Sequence, residues 1–305
     1  MQPAGPNLTT LLVQCAAAGI MLLNADAAIA EQQLQWRLDP DQQLRLRLTQ
    51  TIRTELDFEE PAVMSLLAAM EMRWRVDRVD QDGTLHLSQA FTRLILRSTS
   101  ADGSEIAFDS ASAAPPTAAL RQVADAVQPL LASRFTVAMS PRGEFEGVGI
   151  TLSPGDASQE SATGPWTELL SPSGLERALR QSLGLLPEGP VRPGDSWHHQ
   201  DEIQTPQGPV SIASTYRYQG SELVEGRSLE IIQLQTRATP GSRGAFDKPS
   251  EREQRLTGTY RFDATAGHLV QSRITQTLAS EIPSGDRSIR MTASSTLATT
   301  LEPLP

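Results

Sequence analysis

Two of the four histidines stand side by side, His198 and His199, with Asp201 and Glu202 just beyond them. Imidazole next to carboxylate is the equipment of a metal-assisted or general-base hydrolase. The surrounding residues alternate as a β-strand does, however, and neighbours on a strand face opposite ways. The two rings therefore cannot meet on one ion without a bulge. A metal would take one of them with Asp201 or with a distant partner. Exposed strand histidines are the simpler reading, and His86 and His268 fall in separate segments.

Other constellations fail on their own spacing. Asp77, Asp80, Asp82 and Gly83 suggest a calcium loop. With Gly83 as the loop glycine, the first ligand position falls on Arg78 and the bidentate glutamate position on Gln89. A solvated turn explains these residues better, because Asp and Gly supply the backbone geometry a hairpin needs. Gly194-Asp195-Ser196 begins a nucleophile elbow, but His198 occupies the place of its closing glycine. Neither a phosphate-binding loop nor a dinucleotide fingerprint is present. The Glu59-Glu60 pair is too common a motif to assign acid–base work. Arg45, Arg47, Arg73, Arg75, Arg93 and Arg97 read as the wet face of a sheet before they read as an anion site. Trp36, Trp74, Trp166 and Trp197 read as core or groove-edge packing.

The elements that would position these residues are mainly strands. Leu44, Leu46 and Leu48 alternate with Arg45, Arg47 and Thr49, which makes one buried and one wet face. Arg73–Val79 and Thr84–Leu96 form a hairpin turning at Asp80–Gly83, and Glu105–Ser110 is a shorter strand. Glu59–Met72 is rich in Ala, Leu, Met and Glu and reads as a short helix or loop, with strand from about Met70. Leu120, Val123, Val127, Leu130 and Leu131 share one face of a helix near 117–133, with Pro129 marking a kink or early stop. Phe135–Met139 and Glu144–Val148 flank a Ser140–Gly143 turn. Thr151–Gly164 reads as an exposed loop. A capping box, Ser173 with Glu176, opens a helix over 173–186 carrying Leu179, Leu183 and Leu186. Strands follow at Trp197–Gln204, Val210–Gln219 and Ser228–Thr239. Beyond a polar loop at Thr239–Glu253 come Thr257–Phe262, His268–Ser280 and Ser288–Leu301.

One pattern occurs twice. Trp74–Leu87 and Tyr216–Ile231 each carry apolar alternation through an acidic glycine turn, and Val191–Trp197 echoes Leu38–Leu44. Internal similarity of this kind points to two related β modules, 31–150 and 191–305, joined by 151–190 within one integrated domain.

Composition excludes some partners. A net charge of −10 and a pI near 5.0 oppose nucleic acid and anionic membrane surfaces. Lys248 is the only lysine, and Asn7 and Asn24 are the only asparagines. Leu11–Leu23 is an apolar run too short to span a bilayer, and Ala28-Ile29-Ala30 supplies a small-x-small cleavage pattern. Residues 1–30 thus read as a secretory signal cleaved near Ala30, although Met1–Thr10 lacks a basic residue. The expected mature chain is exported and soluble, with no transmembrane span. The single cysteine, Cys15, lies in that run, with Gln14 where a lipoprotein signal wants a small residue. Cleavage leaves a chain with no thiol chemistry.

The chain resembles an uncharacterised family of exported bacterial proteins. The resemblance rests on Leu34–Pro40, Trp74–Val76 through Asp82–Thr84, Phe135–Val137 through Ser140–Glu144, Pro193–Trp197 and Phe262–Asp263 through Ala266–Val270. The family commonly has Gly-Asp where Asp41-Gln42 stand here. The resemblance implies export and architecture, and brings no activity.

These readings converge on an α+β protein. We expect a strongly curved antiparallel sheet from two related modules, with two amphipathic helices on its concave face. By analogy of fold alone, such an arrangement resembles envelope lipid-carrier and lipoprotein-chaperone proteins. The expected role is non-enzymatic, without cofactor or metal. It is binding of a lipid or acyl ligand, or of an envelope protein, between sheet and helices. The candidate ligand-facing residues are Leu120, Val123, Val127, Leu130, Leu179 and Leu183. The competing reading is a metal-dependent or hydrolytic enzyme built on His198 or His199.

Overall fold

A computed structural model describes residues 31–57, 61–151, 179–205, 208–240, 253–284 and 287–305. Strict alternation makes the first strand. In β1 (Gln43–Asp57) Leu44, Leu46 and Leu48 are buried while Arg45 and Arg47 face water. The chain continues through β2 (Ala62–Val79), β3 (Leu85–Thr99) and β4 (Glu105–Asp109) to the helix α1 (Ala118–Ala132), then β5 (Arg134–Met139) and β6 (Phe145–Thr151). After residues 179–195 come β7 (Ser196–Thr205), β8 (Gly208–Val224), β9 (Arg227–Pro240), β10 (Glu253–Asp263), β11 (His268–Ser284) and β12 (Arg287–Pro303).

Among the described residues all twelve strands form one open, curved antiparallel sheet in the order β6-β5-β3-β2-β1-β12-β11-β10-β9-β8-β7, with β4 also pairing with β3. Each run of strands crosses the sheet in the same direction, so β1 lies against β12 in the middle and β6 and β7 form opposite edges. The chain from β6 to β7 therefore links the two margins of the sheet.

Two expectations are corrected here. The stretch from Ala62 to Met72 is neither helix nor loop but the first part of β2. There Ala62–Met72 pairs with β1, and Ser65 onward with β3 as well. The helix preference of Ala, Leu and Met amounts to tenths of a kcal/mol per residue, less than two hydrogen-bonded ladders and a buried face supply. The second helix ends earlier than its leucine spacing suggests. Residues 179–183 are helical, and Gly184 then turns left-handed (φ +69°), its N–H donating to the Arg180 carbonyl at 3.2 Å. Leu186 lies past that end and pairs instead with Arg142, whose carbonyl accepts from the Leu186 N–H at 2.9 Å. The capping residues Ser173 and Glu176, the Thr151–Gly164 loop beyond Thr151, Glu59-Glu60, Trp166 and the signal segment 1–30 lie outside the described residues.

The helix α1 runs on through Pro129 to Ala132 and packs on β3 and β4. Val127 is fully buried, and Val123, Leu130 and Leu131 lean on the same core. Among the described residues the fold is thus a sheet with one long helix.

The core occupies the near end of the inner face, where β1 begins and β12 finishes. Residues 31–42 form a strap across that end. Its N–H groups donate to carbonyls from Trp36 to Pro141 (2.7 Å) and from Arg37 to Gly267 (2.8 Å), and Gln32 and Val191 exchange a pair of bonds. Leu34, Trp36 and Leu38 point inward and are buried, and Trp36 meets Phe262 edge to face at 5.9 Å.

The two strand runs open alike. Asp39-Pro40-Asp41-Gln42 is a turn closed by the Gln42 N–H on the Asp39 carbonyl, with Asp41 at φ +66°. Arg192-Pro193-Gly194-Asp195 is closed in the same way, with Gly194 at φ +101°. In each turn the fourth side chain accepts from the first N–H, Gln42 from Asp39 and Asp195 from Arg192. Each then exchanges two backbone bonds with a residue beside a bulge in the next strand, Val76 or Tyr218.

Candidate functional site

On β1 and β12 burial of the inner face falls with distance from the near end. Continuous cross-strand register, free of bulges over this region, lets the face be followed row by row. Tyr218, Ile232, Tyr260, Ser272, Thr299 and Leu48 stand abreast across the sheet, all buried. The next row, with Tyr216, Leu234, Ile274 and Leu297, is still buried. Beyond it every inward side chain on β1 and β12 is only half-buried.

Residues 179–186 close the near half. Four side chains hold their backbone by donating to its carbonyls. These are Tyr260 Oη to Gln181 (2.8 Å), Ser272 Oγ to Ser182 (2.6 Å), Trp197 Nε1 to Leu185 (2.7 Å) and Arg142 Nε to Leu186 (3.2 Å). The fit is close, because a Cβ on Gly184 would stand 2.9 Å from the Tyr260 ring. The void left beneath residues 183–186, against Tyr216, Tyr260 and Phe262, is only about 10 Å³, room for one water at most.

The far half is different in chemistry as well as in cover. One row there reads His199, Ser214, Thr236 on β7–β9 and Gln276, Ser295 on β11–β12, each opposite the next in register apart from Leu256 on β10. The Ser214 and Thr236 hydroxyls are 3.1 Å apart, Gln50 donates to Ser295 at 3.4 Å, and His199 Nε2 lies 3.0 Å from Asp201. On the β1 and β2 side the row becomes apolar, with Ile52 opposite Leu66. Farther out Leu56 lies between Ala62 and Met291, and Leu278 pairs with Ala293. Ile52, Leu56, Met64, Leu66, Leu278 and Met291 are all half-buried.

Aromatic rings floor the polar side. Trp197 stacks on Tyr216 at 5.7 Å with an 8° interplanar angle, and Tyr216 leans on Tyr260 at 6.1 Å. Burial holds the Tyr260 hydroxyl well above its ordinary pKa and pushes that of Tyr216 up to about 12, so both remain protonated. Burial, with Glu230 beside it, also pushes Tyr218 up to about 12; the Glu230 carboxylate accepts from Tyr218 and, at 2.8 Å, from Ser221.

The residues singled out by sequence fall in several places. Val127, Leu179 and Leu183 are buried in the core, Val123 and Leu130 pack partly against it, and Leu120 is half-buried on α1. His198 is exposed on the outer face beside Thr215 (3.1 Å), while His199 faces inward, so the strand does separate the two rings. Asp80 binds His86 (2.7 Å) and Arg78 on the surface, and Asp82 accepts the Thr84 N–H, which lowers its pKa and marks a turn. Among the described residues no three potential metal ligands cluster. Arg45, Arg47, Arg73 and Arg75 are exposed, opposite the core. Apart from His199, the polar row escaped sequence reading. Its only other signal is an uncharged polar residue at inward positions of β8, β9, β11 and β12, and the outward positions of those strands carry the same residue types.

No curated protein matches the chain. Among solved structures, the chain in a study of lipid–protein interactions in lipovitellin is similar over 88% of this chain and 26% of that one, with 12% identity and a TM-score of 0.47. This chain thus spans about a quarter of that relative. The hypothetical lipoprotein YmcC from Escherichia coli is similar over 84% of this chain and 87% of that one (10% identity, TM-score 0.24). A Bacteroides fragilis protein with a YmcC-like fold is similar over 85% and 96% (8% identity, TM-score 0.24). These likenesses say nothing of ligand or activity. No described helix is long and apolar enough to cross a membrane. From the β2–β3 turn into β9, residues 82–231 match the model of a family of unknown function, DUF6263, which meets the expected resemblance to an uncharacterised family and brings no activity with it.

Proposed function

We propose that this protein is an exported, non-enzymatic binding protein that holds an acyl or similar apolar chain on the far half of its inner face. One observation carries the proposal: the protein fills the near half of that face itself, yet leaves Ile52, Leu56, Met64, Leu66, Leu278 and Met291 half-covered in register with it. Covering such side chains is worth about 25 cal/mol per Å² of apolar surface, which favours an apolar occupant. The Leu11–Leu23 run and Ala28-Ile29-Ala30 support export. The reading takes the two strand runs as copies of one module, supported by their matching lead-in turns and bulges.

Titration with N-phenyl-1-naphthylamine, a neutral apolar fluorophore, tests the site. Saturable enhancement is expected, weakened at least tenfold by Ile52→Asp or Leu66→Asp and unchanged by Arg53→Ser on the outer face. A wild-type protein that shows no saturation, or inner-face variants that bind as wild type, would refute it.

A further inference from the structure

Resting on that reading, we infer that the ligand is an uncharged amphiphile: an acyl chain whose head bears hydroxyl or amide groups, as in a monoacylglycerol. The inner face changes chemistry along one line. Toward β2 it is apolar, through Ile52 and Leu66. Toward β7 it presents Ser295, Gln276, Thr236, Ser214 and His199, half-buried in the same row. Hydroxyls and amides both donate and accept, and a hydroxyl proton rotates to suit its partner. Such groups complement a neutral head with mixed donors and acceptors.

An anionic head would want guanidinium or ammonium groups, and strand alternation sends the arginines of these strands the other way. Arg53, Arg237 and Arg290 are exposed, each one residue from an inward position of the site. On the inner face the charged neighbour of His199 is Asp201, whose carboxylate repels an anion. Between Thr236 on β9 and Leu66 on β2 lie five strand spacings, roughly 24 Å at about 4.8 Å each. A long acyl chain can lie across the strands with its head at one end of that row.

Displacement of bound N-phenyl-1-naphthylamine by glycerol monooleate and by oleate, each below its aggregation concentration, tests the head preference. Glycerol monooleate is expected to displace the probe at a concentration at least tenfold lower than oleate does. In the double variant Ser214→Ala/Thr236→Val the two should come within about twofold. Oleate should still compete as it does with wild type, which shows that the site is intact. If oleate matches or beats the monoglyceride in wild type, or the preference survives in the variant, head recognition is overturned and the acyl site stands. If neither amphiphile displaces the probe, the acyl-binding reading falls and takes this inference with it.

Discussion

At Gly267 the strap comes so close that a Cβ would lie 2.3 Å from the Arg37 carbonyl oxygen. The residue is also left-handed, at φ +71°, and its own carbonyl accepts the Arg37 N–H. Gly226, in the β8–β9 turn, has a similar φ of +79° with nothing near its absent side chain. The pair separates backbone strain from steric exclusion. Gly226→Ala should cost about 1 kcal/mol, the strain of a left-handed alanine. Gly267→Ala should cost at least about 2 kcal/mol more, because the strap must move off the sheet end. Urea unfolding of both variants measures the difference. Equal losses would mean that the strap yields freely and is not part of the packed core.

Short elements need pins. Five residues long, β4 touches the sheet only along β3, and Arg93 on β3 holds it by a bidentate pair with Asp109 at 2.6 and 3.0 Å. The Arg93 hydrogen bond, helped by the Ala111 N–H, draws the Asp109 pKa down from 3.8 to about 2. A folded pKa below the unfolded one stabilises the fold above about pH 4, and that contribution disappears as pH falls through about 2. Both side chains are about a third exposed, so screening limits it to about 1 kcal/mol. Asp109→Asn should therefore lower stability at pH 5 and converge with wild type near pH 2, as read by denaturant titration at the two pH values.

Elements differ in how openly the sequence shows them. β1 is legible because Leu and Arg alternate through its buried half, and the turn at Asp80–Gly83 because Asp and Gly have few other uses there. The first half of β2 is not: Ala62–Met72 carries helix-favouring residues, and only the flanking strands make it extended. Leu186 continues a helical spacing that Gly184 interrupts for want of room beneath Tyr260. The site was hidden for a related reason. Near Ser295 the chain reads Ala-Ser-Ser-Thr-Leu, so inward and outward positions look alike, and only pairing with Ile52 and Gln276 shows which side chains share a face.

Across the molecule, β1 and β2 are paired on both sides along most of their length, while cover over their inner face thins from near end to far end. Hydrogen exchange should follow that cover and not the ladders. Amides of residues 44–48 and 70–76 should exchange at least tenfold more slowly than those of 52–56 and 62–66, because opening the latter exposes less buried surface. Mass-spectrometric exchange on overlapping peptides reads this directly. Uniform protection along both strands would mean that the far half is as tightly consolidated as the near half.

The meeting of β1 and β12 also governs biosynthesis. The segment Leu44–Asp57 emerges early from the ribosome, yet its partner Met291–Pro303 and the residues beside it arrive only with the twelfth strand. A nascent chain must therefore carry a bare strand rim while ten further strands are made, an invitation to mispair that a chaperone would have to shield. Truncation ahead of Arg287 would accordingly strike the hub of the sheet and not its fringe.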